Sequence, residues 1–224
     1  MEKLVRAQVI TLANEKGDVS GYDLSGVNLS NLDLIAVRFK GCNFHGANLS
    51  SSNLCMSNFD DTDLSNCNMS SSNFIGASFR NARLENSDLT FASFIGSDFS
   101  EANLTKANFT NSKISTARFH KADLSEANLQ MTEAVLIQSD NATLRKVSAF
   151  GSSMIGANLS GTNLRGAMLH GTDLSGANLS SADLREATLL ETILVAANLE
   201  NADMRDTHTT GIELQRARLE GLKK

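Results

Sequence analysis

Thr172-Asp173-Leu174-Ser175-Gly176-Ala177-Asn178-Leu179-Ser180-Ser181 is one five-residue unit written twice: a small residue, Asp or Asn, Leu, Ser, then a corner residue. The unit extends in both directions without a dropped step. Every fifth residue from Leu24 to Leu219 is Leu, Phe, Met or Ile at thirty-six of forty positions, the exceptions being Ala134, Ser139, Ala149 and Thr209. Two residues earlier, thirty-six of forty positions are small, and the residue just before the central one is Asp or Asn at twenty-three of forty. An internal repeat this constant decides the architecture before local propensities are weighed.

A period of five matches neither a helix at 3.6 residues nor a strand at 2. It suits a chain that turns a corner every five residues and sends two side chains inward each time, a large one to the axis and a small one behind it. Four units close a square of twenty residues, so residues 22–221 make about ten coils. Coils stacked by backbone hydrogen bonds at roughly 4.8 Å give a rod of about 45–50 Å. A single coil buries little, and stacking creates the continuous core. The expected class is all-β.

The runs Ala157-Asn158-Leu159-Ser160-Gly161, Thr172-Asp173-Leu174-Ser175-Gly176 and Ala177-Asn178-Leu179-Ser180-Ser181 resemble the pentapeptide repeat proteins. The resemblance covers about nine-tenths of the chain and implies a right-handed quadrilateral parallel β-helix, a solenoid. Some members of that family protect or inhibit DNA gyrase as dimeric acidic rods that mimic duplex DNA, which implies gyrase as an alternative partner. The N-terminal segment, with Gly17 and then Asp23-Leu24-Ser25-Gly26-Val27-Asn28-Leu29, is similar to cyanobacterial members, some of which act in regulation. Fold alone does not carry function.

Composition narrows the rest. At 224 residues, with no Pro or Trp and one Tyr, the chain is one solenoid with no room for a separate catalytic domain. A net charge of −5 and a pI near 5.4 argue against direct nucleic-acid binding. That charge is also modest for a DNA mimic. The N-terminus lacks a long apolar stretch, so no secretory signal is expected. No run approaches ~18 apolar residues, so no membrane span is expected and the location is read as cytoplasmic. Cys42 and Cys67 occupy the small inward position, where Cys packs as an apolar filler, while Cys55 points outward.

The ends of a solenoid need covering. Val5, Val9, Leu12 and Ala13 are spaced for one helical face and Gly17 suits a stop, so residues 1–18 are expected as a capping helix and residues 19–224 as the β-helix. Only Glu220-Gly221-Leu222-Lys223-Lys224 follows the last repeat. Either the C-terminal coil forms a homodimer, or Leu222 and the terminal charges act as a lid. Between Met131 and Ser153 three of four central residues are small. The preferred reading is one narrow, irregular coil; a looped-out segment of a multiple of five residues keeps phase equally well.

Outward positions twenty residues apart form vertical stripes. Ile35, Cys55, Ile75, Ile95, Val135, Ile155 and Val195 fall on one such stripe, thickened by Met56, Leu136 and Ile193. An exposed apolar strip marks a contact surface, so these residues are the candidate site for an unidentified protein partner or for a homodimer through the stripe. A second stripe carries Arg145, Arg165, Arg185 and Arg205 beside Asp183, Glu186, Asp203 and Asp206 and reads as a charge-balanced face. His45, His120, His170 and His208 lie on different faces or distant coils, with no Cys or carboxylate at ligand spacing. Asp60, Asp61 and Asp63 lack the spacing of a calcium loop. No phosphate loop or nucleophile elbow is present. The expectation is a non-enzymatic interaction or scaffold module without cofactor or metal, with gyrase binding as the alternative.

Overall fold

The computed structural model describes Met1–Lys224. From position 22 onward the backbone alternates three extended residues with a two-residue corner. One residue per side pairs in parallel with the residue twenty further on: Asp23 with Asn43, Asn28 with Asn48, Asp33 with Asn53, Arg38 with Asn58. Those four columns are the first, second, third and fourth sides of the rod. The pairing continues without a slip to Asp203 with Lys223. The chain is a right-handed quadrilateral β-helix, all-β apart from one short helix. Of 158 backbone hydrogen bonds, only 7 lie inside regular elements, so cohesion comes from contacts between coils and around corners.

The repeat's chemistry accounts for this geometry. The second corner residue has positive φ in every turn, from 54° at Lys146 to 78° at Gly21. One such residue per turn is the type II pattern, which favours Gly and Asn. The Asp/Asn side chain before the central residue folds back and accepts the N–H two residues on, as in Asn28 to Ser30 (3.0 Å) and Asp98 to Ser100 (2.9 Å). This Asx turn closes the corner from the side chain. At the small inward position Ser, Thr and Cys donate to a carbonyl of the preceding coil, as in Ser52 to Leu29 (2.8 Å), Thr172 to Ala149 (2.7 Å) and Cys42 to Val19 (2.8 Å). Most hydroxyls and thiols therefore enter the core already paired, Ser112 Oγ being left without a partner. Burial pushes the Cys42 thiol up to about 11 and the Cys67 thiol to about 12.

The axis is filled in columns. On the fourth side Phe39, Phe59, Phe79, Phe99 and Phe119 stack ring on ring with centroids 5.1, 5.1, 4.7 and 5.0 Å apart. Phe74 and Phe94 stack at 4.9 Å on the third side and meet the first column edge-on. After Phe119 that column continues as Ser139, then as leucines. Ala134, Ser139 and Ala149 are buried, and Gln138 pairs with both Arg118 and Asn158. The stretch is thus a coil with small axial residues, in full register, and neither looped out nor irregular. It lies where the phenyl column gives way to leucine.

Helix α1 spans Arg6–Lys16 and ends at Gly17, whose φ is 60° and whose N–H donates to Ala13 O at 2.9 Å. Gln8 Oε1 accepts the Val5 N–H at 2.9 Å, one half of a capping box. Val9 and Ala13 are buried and Leu12 partly so, but Val5 precedes the helix and is exposed. Leu4 takes its place in the core because Lys3 pairs with Asp23, exactly one coil back in register with Leu24. The chain therefore starts a coil, crosses it by helix and rejoins the axis at Val19. The Arg6 guanidinium donates to Asn28 O (2.7 Å) and Ser30 O (3.1 Å), tying α1 to the coil beneath.

Candidate interaction surface

The third side brings the expected stripe together in one column. Ile35, Met56, Ile75, Leu136 and Ile155 are exposed, Met56 most of all at 67%. Cys55, Ile95, Val135 and Val195 are half-buried between their neighbours above and below. The rows run through pairs Asn53 to Asn73, Asn73 to Ser93, Lys113 to Glu133 and Glu133 to Ser153, so the stripe is straight. Lys113 and Glu133 are the only charged outward residues on this side between residues 53 and 156. Both are exposed, and neither joins an ion pair within the chain.

One stripe residue, Leu136, and one residue of the neighbouring side, Met131, lie down across glycine corners. A Cβ built on Gly156 would fall 2.7 Å from Leu136 Cδ2, and one on Gly151 would fall 2.8 Å from Met131 Sδ. Glycine at those corners lets a long apolar side chain cover the coil below. Met131 belongs to a second apolar set that sequence reasoning missed: Phe91, Met131, Phe150 and Met168 are all exposed on the second side and its corner. Phe150 packs on His170 with centroids 5.2 Å apart. Stripe-reading by the single position after the central residue could not find Phe91, Met131 or Met168, which occupy the other two outward positions. Extending the twenty-residue comparison to those positions would have found them.

The first side holds the arginine ladder, paired at Arg165, Arg185 and Arg205 and without an ion pair at Arg145. Arg165 meets Glu186 at 2.5 Å, Arg185 meets Asp183 at 2.7 Å, and Arg205 meets Asp203 at 2.6 Å. The guanidinium hydrogen bond from Arg205 holds the Asp203 carboxyl well below the usual carboxylate range, and that from Arg185 lowers Asp183. The acidic cluster is dispersed: Asp60 accepts from Ser78, Asp61 meets Lys40 at 3.3 Å, and Asp63 meets Arg83 at 3.3 Å. The histidines need a correction. His120 lies 2.6 Å from Asp140, and His170 lies 3.6 Å from Glu191. The coil places residues twenty or twenty-one apart side by side, so these carboxylate neighbours are remote in sequence. Each is a pair rather than a three-ligand set.

No helix is long and apolar enough to cross a membrane. No curated protein sequence matches the chain. The profile of pentapeptide repeats matches in 8 copies, over residues 23–61, 57–92, 82–120, 92–130, 142–180, 172–208 and 182–221. It leaves out 131–141, the stretch with Ala134 and Ser139. Among solved structures the chain is similar to HetL, a pentapeptide repeat protein involved in heterocyst differentiation regulation from the cyanobacterium Nostoc sp. strain PCC 7120. The identity is 27%, coverage is 98% of this chain and 96% of that one, and the TM-score is 0.87. QnrB1, a plasmid-mediated fluoroquinolone resistance protein, is 20% identical over 97% of this chain and 90% of that one, with a TM-score of 0.43. A pentapeptide repeat protein of the Arabidopsis thaliana thylakoid lumen is 30% identical over 40% of this chain and 56% of that one, with a TM-score of 0.19. A profile covering most of the chain, on a coil that keeps its register throughout, places this chain among the pentapeptide repeat proteins.

Proposed function

We propose that this chain is a non-enzymatic interaction rod of the cytoplasm, with the third side as its docking face. The observation that carries the reading is the column of exposed apolar residues on a rigid support: Ile35, Met56, Ile75, Leu136 and Ile155. Large apolar side chains held outward in a straight row expose area that a partner removes from water, at about 25 cal/mol per Å². The similarity to HetL, a protein involved in regulation, over nearly the whole of both chains supports a regulatory role. Pairing of Arg165, Arg185 and Arg205 with their carboxylates weighs against a gyrase-binding DNA mimic, because a basic ladder interrupts any acidic surface along the first side.

The test compares wild type with an Ile75→Asp/Ile95→Asp variant as baits in a lysate of the source organism. The variant is expected to keep the β-sheet circular dichroism of the wild type and to lose a protein that wild type retains. Equal recovery by both baits would retire the third side as the docking face.

A further inference from the structure

We propose that the third side pairs with the third side of a second copy, the two rods running antiparallel about a two-fold axis between the rows of Lys113 and Glu133. The proposal rests on the reading of this side as a docking face and names its occupant. A two-fold axis lying in the interface, at right angles to the rod, inverts the order of coils and keeps each outward column opposite itself. Lys113 then faces Glu133 of the second copy, and Glu133 faces its Lys113, so two unpaired charges on an apolar face find partners twice over.

The neighbouring rows follow the same symmetry. In the central rows Ser115 meets Val135 of the other rod, and one row out Ile95 meets Ile155. Two rows out, Ile75 meets Ser175; three rows out, Cys55 and Met56 meet Val195 and Ala196. The apolar residues just named fall against apolar or small ones, and Ile193 falls against the amide of Asn53. Only the outermost rows, Asp33 against Glu213, oppose like charges, at a rim where salt screens them. Parallel rods would instead set Lys113 level with Lys113 of the second copy. An interface of this kind is isologous: the same patch serves both partners and the assembly closes at two.

Charge reversal separates contacts between copies from contacts within one. Lys113→Glu and Glu133→Lys should each weaken the dimer at least about tenfold in sedimentation velocity, since each places like charges opposite one another. An equimolar mixture of the two variants should recover the dimer, and native mass spectrometry should show it to be mixed, because every charge then meets its opposite across the axis. Wild type that stays monomeric up to about 1 mM, or a mixture no tighter than either variant alone, overturns the proposal. If wild type is monomeric while the Ile75→Asp/Ile95→Asp variant loses a captured protein, the docking face stands and self-pairing falls. If the dimer survives Ile75→Asp/Ile95→Asp, self-pairing through this side falls, and the docking face is decided by the lysate comparison alone.

Discussion

Leu164 sits in the axial column of the first side between Leu144 and Leu184, fully buried like both neighbours. Leu164→Ala removes packing that no adjacent side chain can replace, so it should cost roughly 2–5 kcal/mol by thermal or denaturant unfolding. An unchanged melting temperature would contradict this register. Three half-buried carboxylates make a separate pH-dependent contribution. Hydrogen bonds from the Ser20 hydroxyl and N–H hold Asp18 at about 2, and Asp183 and Asp203 are likewise lowered by Arg185 and Arg205. Their folded values lie below the ordinary 3.8, so the ionised forms stabilise the fold above that pH. This stability is lost as pH falls from 3.8 toward 2. Thermal melts along that acid limb should be shallower for Asp18→Asn/Asp203→Asn than for wild type; identical slopes would remove these two groups as the cause.

At the scale of elements, α1 and the corners invite different tests. Val9 is wholly buried on the face of α1 that meets the first coil. Val9→Asp buries a charge with no partner and should release the helix, seen as faster hydrogen exchange over residues 6–16 and a lower melting temperature. Gly156 stands at φ 64° under the Leu136 side chain. Gly156→Ala combines left-handed strain with a 2.7 Å approach to Leu136 Cδ2 and should cost about 1–2 kcal/mol. The existence of α1 was legible from Val9, Ala13 and Gly17, because spacing and a stop signal are local properties. Its start was not. Leu4 and Val5 differ by one residue, and what decides between them is the pairing of Lys3 with Asp23, a contact across twenty residues.

The whole molecule behaves as a linear stack, each coil supported by the one above and the one below. The coil of Ala134, Ser139 and Ala149 contributes the least apolar volume to that stack, between a phenylalanine-filled half and a leucine-filled half. Its amides should exchange faster than those of the coil holding Phe74 and Phe79; equal protection would show that the rod opens as one unit. Nearly all of this architecture was readable from the series Leu24 to Leu219, since a five-residue period admits few closed paths. The surface was readable only in part. Ile75 and Ile155 declared themselves through the twenty-residue stripe, whereas the exposure of Phe91 and Met131 depends on corner positions that the central-residue pattern does not reach. His120 and Asp140 were missed for the same kind of reason, as neighbours made by the coil.

The phenyl column of the fourth side has an optical consequence. Each of its five rings lies within 5.1 Å of the next, nearly parallel in most steps, in a protein with no tryptophan and a single tyrosine. Aromatic absorbance elsewhere is usually dominated by indole and phenol, but here the benzene chromophore is almost alone. Fixed in a chiral array, these rings should give the sharp vibronic bands of phenylalanine in near-ultraviolet circular dichroism. Those bands report on the order of one half of the rod, with no label added.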